Sequence, residues 1–77
     1  MTRSDIQSSI NKAIADDESL EFISTMLKDY KENGIDQTSV VEVIEEMRSG
    51  VTEEYEDRLL EILDIATGHC SIKYIVW

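Results

Sequence analysis

The stretch GIDQTSVVEVIEEM, residues 34–47, predicts the end of one helix and the start of another. Gly34 suits the left-handed position that follows a helix. Asp36 or Thr38 then offers a side-chain oxygen to the free amides of a new helix. The apolar residues that follow recur at helical spacing, namely Val40, Val43, Ile44 and Met47. The stretch therefore predicts a helix, and its repetition along the chain determines the fold.

The same start and stop signals occur at three further places. Gly50 and Gly68 predict two more helix ends, Ser4 with Gln7 fits a capping box, and Thr52 suits a helix start. Short connections favour antiparallel neighbours. We predict one all-α domain over residues 1–77, a bundle of about four short antiparallel helices at residues 4–15, 19–33, 37–49 and 52–67.

The predicted helices each carry an apolar stripe that should face the core. The second helix has Leu20, Ile23, Leu27 and Tyr30 at helical spacing, and Phe22 and Met26 should widen this stripe. The fourth has Tyr55, Leu59, Ile62, Leu63 and Ala66. Acidic residues occupy the opposite sides of the third and fourth helices. These two helices should therefore present hydrated carboxylates to solvent.

The tail HCSIKYIVW, residues 69–77, differs from the rest of the chain. Its apolar and aromatic residues favour extended structure, but no other segment reads as a strand that could pair with it. We expect an apolar C-terminal arm that packs across the bundle. The alternative is an arm that joins two chains in a homodimer.

The charge of the chain restricts its partners. Seventeen acidic residues face seven basic ones, and residues 32–64 contain eleven of the acids with only Arg48 and Arg58. The net charge of −10 repels phosphates and anionic headgroups and attracts basic proteins. We therefore expect a basic protein partner and no direct binding of nucleic acid or membrane.

The sequence favours a cytoplasmic location. It has one cysteine, no apolar run of about 20 residues and no signal peptide.

The opening stretch locally resembles the acyl carrier protein motif, in which a Gly-x-Asp-Ser step precedes an acidic helix. Gly34 and Asp36 match this step, and residues 41–44 match the helix over a resemblance of about fourteen residues. Gln37 stands where that family attaches phosphopantetheine to a serine, and Ser39 lies about 200° further round a helix. We interpret the stretch as a helix start, with no cofactor. A degenerate carrier-protein-like domain is one alternative.

No group of residues satisfies the requirements of a catalytic or metal site. His69 and Cys70 are adjacent and supply too few ligands for zinc, so we interpret them as a turn. The acidic residues fall into two sets, each sharing a helix face: Glu42, Glu45 and Glu46, and Asp57, Glu61 and Asp64. Paired carboxylates perform acid–base chemistry only when one of them is desolvated, and these lie opposite the apolar stripes. We predict no catalytic residues, no metal and no enzyme activity.

These observations predict a small acidic interaction module that binds and inhibits a basic protein. Immunity proteins, antitoxins and phage-encoded inhibitors act in this way, and the analogy rests on size, charge and fold class. The candidate partner-binding residues are Glu42, Glu45, Glu46, Asp57, Glu61, Asp64, Tyr74 and Trp77. The alternative function is a structural or regulatory subunit that binds through its C-terminal arm.

Overall fold

The described part of the chain folds into four α-helices. The computed structural model describes residues 2–69 and 74–77, and this part of the chain contains no strand. The helices are α1, Arg3–Ala15; α2, Leu20–Glu32; α3, Gln37–Met47; and α4, Glu53–Thr67. The predicted all-α class with four helices is confirmed, and each predicted boundary lies within two residues of the observed one.

Side chains cap the start of all four helices. Ser19, Asp36 and Thr52 each accept a hydrogen bond from the amide three residues further on, and of these Asp36 and Thr52 were predicted as helix starts. The prediction for α1 is wrong by two residues. Thr2 is its cap, because Thr2 Oγ1 accepts from the Asp5 amide and Asp5 Oδ2 accepts from the Thr2 amide. This reciprocal pair completes a capping box that begins two residues before Ser4, which already belongs to the helix.

The helix ends follow the glycines in two cases. Gly34 follows α2 and Gly68 ends α4, both with a φ of +83°, a conformation that a side chain would strain. Helix α3 ends at Met47, two residues earlier than predicted. The Arg48 amide donates to the Glu45 carbonyl at 3.3 Å, so the last turn is tightened and the helix stops before Gly50.

Helix α3 packs against both α4 and α1. Gln37 at the start of α3 donates to the Ala66 carbonyl at the end of α4, at 2.7 Å, as expected for an antiparallel pair. Two further hydrogen bonds connect α1 to its neighbours. The Ser9 hydroxyl of α1 hydrogen-bonds the Tyr30 hydroxyl of α2, and the Tyr55 hydroxyl of α4 donates to Asn11 of α1 at 2.7 Å.

The inner faces of all four helices form one apolar core. Its buried residues are Ile6, Ile10, Ala13, Ile23, Leu27, Tyr30, Val40, Val43, Ile44, Met47, Leu59, Ile62, Ile65, Ala66 and Val76. The prediction that Leu20 and Phe22 face this core is wrong, because they are 39% and 48% exposed. Phe22 lies about 100° round the helix from Ile23, at the edge of the buried stripe.

The described part of the C-terminal arm, residues 74–77, packs against α2. Val76 is buried in the core, and Tyr74 and Trp77 lie partly buried against it. Two hydrogen bonds hold the backbone: Ser24 Oγ donates to the Tyr74 carbonyl at 3.2 Å, and Lys31 Nζ donates to the Val76 carbonyl at 3.0 Å. The arm therefore packs within its own chain at these residues. Residues 70–73 of the predicted arm lie outside the described residues.

Candidate functional site

The exposed side of α4 carries most of its carboxylates. Leu59, Ile62, Ile65 and Ala66 are buried in the core, so the residues opposite to them face solvent. We call this exposed set the acidic face of α4, and it consists of Glu53, Glu54, Asp57, Glu61 and Asp64. The five carboxylates recur over three turns of one helix. A partner that approaches this side therefore meets a continuous row of negative charge.

The three arginines are already paired with the chain's own carboxylates. Arg3 contacts Glu42 at 3.3 Å and Glu46 at 2.7 Å. Arg48 contacts Glu45 at 3.1 Å, and its Nε lies 3.5 Å from Glu56 without a hydrogen bond. Arg58 contacts Asp17 at 3.3 Å and Glu61 at 2.8 Å. The two pairs of Arg3 join α1 to α3, and Arg58 joins α4 to the α1–α2 connection, so the arginines fix the bundle and neutralise particular carboxylates.

The predicted acidic face of α3 is divided by these pairs. Glu42 and Glu46 turn toward Arg3 of α1, whereas Glu45 turns toward Arg48 and the start of α4. These ion pairs were not predicted from the sequence. The three glutamates remain about half exposed, but each already has a positive partner.

The acidic face of α4 differs from α3 in this respect. Of its five carboxylates, only Glu61 makes an ion pair with a base among residues 2–69 and 74–77. The side chains of Glu53, Glu54, Asp57 and Asp64 have no such partner there, and all four residues are exposed. Unpaired, exposed carboxylates keep their full charge for an approaching partner. The structure thus separates the six acidic residues predicted for binding into a paired α3 set and a more open α4 set.

The two aromatic residues predicted for partner binding lie in the arm. Tyr74 and Trp77 are partly buried against the core, while Ile75 between them is 39% exposed. The arm and the acidic face are therefore anchored to different helices. The arm lies on α2, and residues 74–77 use much of their apolar surface to complete the core.

A groove between α1 and α2 was not predicted from the sequence. This α1–α2 groove has a volume of about 200 Å³ and is lined by Lys12, Ala13, Asp16, Glu18, Phe22 and Met26. Phe22 forms its exposed wall. The sequence did contain a signal for this exposed ring. A helical wheel centred on Ile23 and Leu27 places Phe22 at the edge of the buried stripe.

Arg58 brings the groove next to the acidic face of α4. Its guanidinium donates to the Glu18 carbonyl at 2.9 Å and contacts Asp17, both at the α1–α2 connection, and it also contacts Glu61 of α4. One arginine therefore lies between the rim of the groove and the acidic face.

A second, larger cleft of about 410 Å³ lies on the side where α1 meets the α3–α4 connection. Its lining is polar, including Gln7, Ser8, Asn11 and Ser49, together with Tyr55. Burial raises the pKa of the Tyr55 hydroxyl, which donates its hydrogen bond to Asn11. The cleft is also lined by Met47, Val51 and Glu46, and the Glu46 carboxylate pairs with Arg3.

The remaining predicted features are assigned as follows. Gln37, at the position of the carrier-protein serine, uses its side-chain amide to bind the Ala66 carbonyl of α4. His69 is exposed after the end of α4, and Cys70 lies outside the described residues. In the described part of the chain, no three potential metal-ligating side chains cluster, and none of its helices is both long and apolar enough to cross a bilayer.

Comparisons with protein-family models, with curated proteins and with solved structures found no match to this chain.

Proposed function

We propose that the protein is an acidic interaction module that binds and neutralises a basic protein through the acidic face of α4. One observation carries the proposal. The exposed face of α4 holds Glu53, Glu54, Asp57 and Asp64 without an ion pair to any described base, while all three arginines are engaged with other carboxylates. The negative field of this face is therefore not cancelled locally.

The physical consequence is electrostatic attraction over distance. A net charge of −10 on so small a chain steers a basic protein toward it and raises the association rate, with a strong dependence on salt. The occluded partner would be a protein whose own site is basic, such as a nuclease or another nucleic-acid-binding protein, and the encounter would occur in the cytoplasm. Covering that site with an acidic surface inhibits it.

The first experiment is affinity capture at about 0.15 M salt, where charges interact over about 8 Å. A basic protein retained by the immobilised chain is then tested for its association rate and for loss of its own activity when the chain is added. We expect fast association that slows with added salt, and inhibition at saturation. A captured protein whose activity is unaffected would contradict the inhibitory role.

A charge-matched pair of variants tests the surface. The α4 variant carries Glu54→Gln, Asp57→Asn and Asp64→Asn, and the α3 variant carries Glu42→Gln, Glu45→Gln and Glu46→Gln. Each changes the net charge from −10 to −7, because three carboxylates become amides. We expect the α4 variant to associate more slowly than the α3 variant. Equal rates would mean that total charge, and not the acidic face of α4, governs the encounter.

The alternative, a subunit that binds through its arm, has one observation in its favour, since Ile75 is exposed on the arm. Binding through the arm would persist in high salt and in both charge variants. It would be lost in Ile75→Ser, a change at an exposed position that leaves the core intact.

A further inference from the structure

The α1–α2 groove is an apolar site that the described chain does not fill. Phe22 is 48% exposed, although an aromatic ring of this size gains much from burial. Ala13 contributes only a methyl group from α1, which leaves space between it, Phe22 and Met26. Residues 74–77 of the arm do not cover this space. They contact α2 at Ser24, which lies about 200° round the helix from Phe22.

The size of the groove restricts its occupant. Small-molecule sites usually have volumes of about 300–1,000 Å³, and this groove has about 200 Å³. It therefore suits one or two side chains of another protein rather than a cofactor. Anchor residues at protein interfaces are commonly single large side chains that enter a pocket of this kind.

The charged residues at the rim of the groove indicate which charges the partner should carry beside this anchor. The side chains of Asp16 and Glu18 make no ion pair with the described bases, and Lys12 is the one basic residue of the lining. Arg58 contacts both the Glu18 carbonyl at this rim and Glu61 on the acidic face of α4, so the two surfaces are adjacent. An apolar side chain that enters the groove would therefore have a negative surface beside it.

We infer that the α1–α2 groove receives an apolar side chain of the basic partner, flanked on the partner by lysine or arginine. The inference rests on the proposed function and adds a second contact to it. The acidic face of α4 attracts the partner, and the groove holds one apolar anchor once the partner has arrived. Charge sets the association rate in this arrangement, and the anchor slows dissociation. A second copy of the chain suits the groove less well, because two chains of net charge −10 repel each other.

The test uses three synthetic peptides and the full chain. One peptide carries a leucine between lysines, the second replaces the leucine by alanine, and the third keeps the leucine but replaces the lysines by glutamine. The chain is labelled with ¹³C at the methionine methyl groups. Met26 lines the groove, and Met47 is buried in the core away from it, so Met47 is an internal control.

We expect the lysine–leucine peptide to bind about tenfold more tightly than the lysine–alanine peptide, because about half of the additional carbon surface becomes buried. It should shift the methyl resonance of Met26 and leave that of Met47 in place. The gain should disappear in Phe22→Ser. It should persist in the matched control Leu20→Ser, since Leu20 is exposed in the same helical turn but lies outside the groove.

The opposite results distinguish the two proposals. Equal, salt-sensitive binding of both lysine peptides would overturn the groove and leave the proposed function intact. Equal binding of the lysine and glutamine forms of the leucine peptide would overturn the basic flanks of the anchor. Binding of no peptide would contradict both proposals. Concentration-dependent dimerisation that Phe22→Ser abolishes would overturn the inference in favour of a second copy in the groove.

Discussion

Gln37 shows how one residue can decide between two interpretations of a motif. Its side-chain amide donates a 2.7 Å hydrogen bond to the Ala66 carbonyl, which belongs to the last turn of α4. The residue therefore joins the beginning of α3 to the end of α4. At the position where a carrier protein attaches its cofactor, this chain has a structural hydrogen bond.

We predict that Gln37→Ala lowers the free energy of unfolding by about 1 kcal/mol, since the Ala66 carbonyl loses its partner in a partly buried position. Urea denaturation followed by circular dichroism measures the change. Thr38→Ala is the control, because Thr38 is an exposed neighbour in the same turn. If both variants are equally stable, the hydrogen bond does not contribute.

Tyr30 gives the chain a sensitivity to alkaline pH. Burial raises the pKa of its hydroxyl above the ordinary value of 10.0, even though the hydrogen bond with Ser9 opposes this shift. The folded state therefore keeps the proton more strongly than the unfolded state does. This contribution to stability is complete below pH 10 and is lost as the pH rises above 10 toward the folded pKa.

Tyr30→Phe should consequently reduce the slope with which stability falls above about pH 10. The comparison is made by urea denaturation at several pH values from neutral to alkaline. The variant also loses the hydrogen bond with Ser9, so it should be less stable at neutral pH, and only the slope tests the titration. An unchanged slope would assign the alkaline loss to other groups.

At the scale of the helices, most starts and ends could be predicted from local sequence patterns. Asp36 and Thr52 could be predicted as caps because a cap and its amide lie three residues apart. The start of α1 was misassigned because two overlapping pairs have the same spacing, and the pair of Thr2 and Asp5 forms the capping box. The end of α3 was missed because its last turn is tightened by Arg48.

The candidate site was predictable only in part. Acidic residues opposite an apolar stripe are exposed, and this follows from helical periodicity. Periodicity does not predict which of these carboxylates an arginine neutralises. Arg3 and Glu46, for example, are far apart in the chain and meet only when α1 packs on α3. The groove is a product of the same packing. It requires Phe22 of α2 to stand beside the small Ala13 of α1.

The arm provides a stability test with a neighbouring control. We predict that Val76→Ala lowers the free energy of unfolding by about 1–2 kcal/mol, because Val76 is 7% exposed and two buried carbon atoms are removed. Ile75→Ala should have a much smaller effect, since Ile75 is 39% exposed. Thermal unfolding compares the two variants. A larger loss for Ile75→Ala would mean that the arm packs with its other side against α2.

At the scale of the whole molecule, the arginines hold an acidic bundle together. Arg58 connects the α1–α2 connection to α4 through Asp17, the Glu18 carbonyl and Glu61, and only 30% of its side chain is exposed. Arg3 makes its two ion pairs with 53% of its side chain exposed. Because water screens exposed charges more strongly, we expect the two arginines to differ in their effect on stability.

We predict that Arg58→Gln lowers the free energy of unfolding by about 1–2 kcal/mol at low salt, and that Arg3→Gln lowers it by less than about 1 kcal/mol. Both variants reach the same net charge of −11, since each removes one positive charge from a chain at −10. Each therefore controls for the general increase in repulsion. Denaturation in urea gives the order, and the reverse order would contradict the assignment of Arg58 as the main connection.

The exposed ion pairs of Arg3 also have a consequence for the populations of conformers in solution. They lie at the first residue of α1, where helices open most easily, and each exposed pair contributes only about 0–1 kcal/mol. Brief opening of this end releases Glu42 and Glu46 together. We therefore expect the unbound protein to exchange between a major form, in which Glu42 and Glu46 are neutralised, and a minor form in which they are free. A basic partner that binds the minor form more tightly would draw the equilibrium toward it, so the charge offered by the protein depends on its motion as well as on its composition.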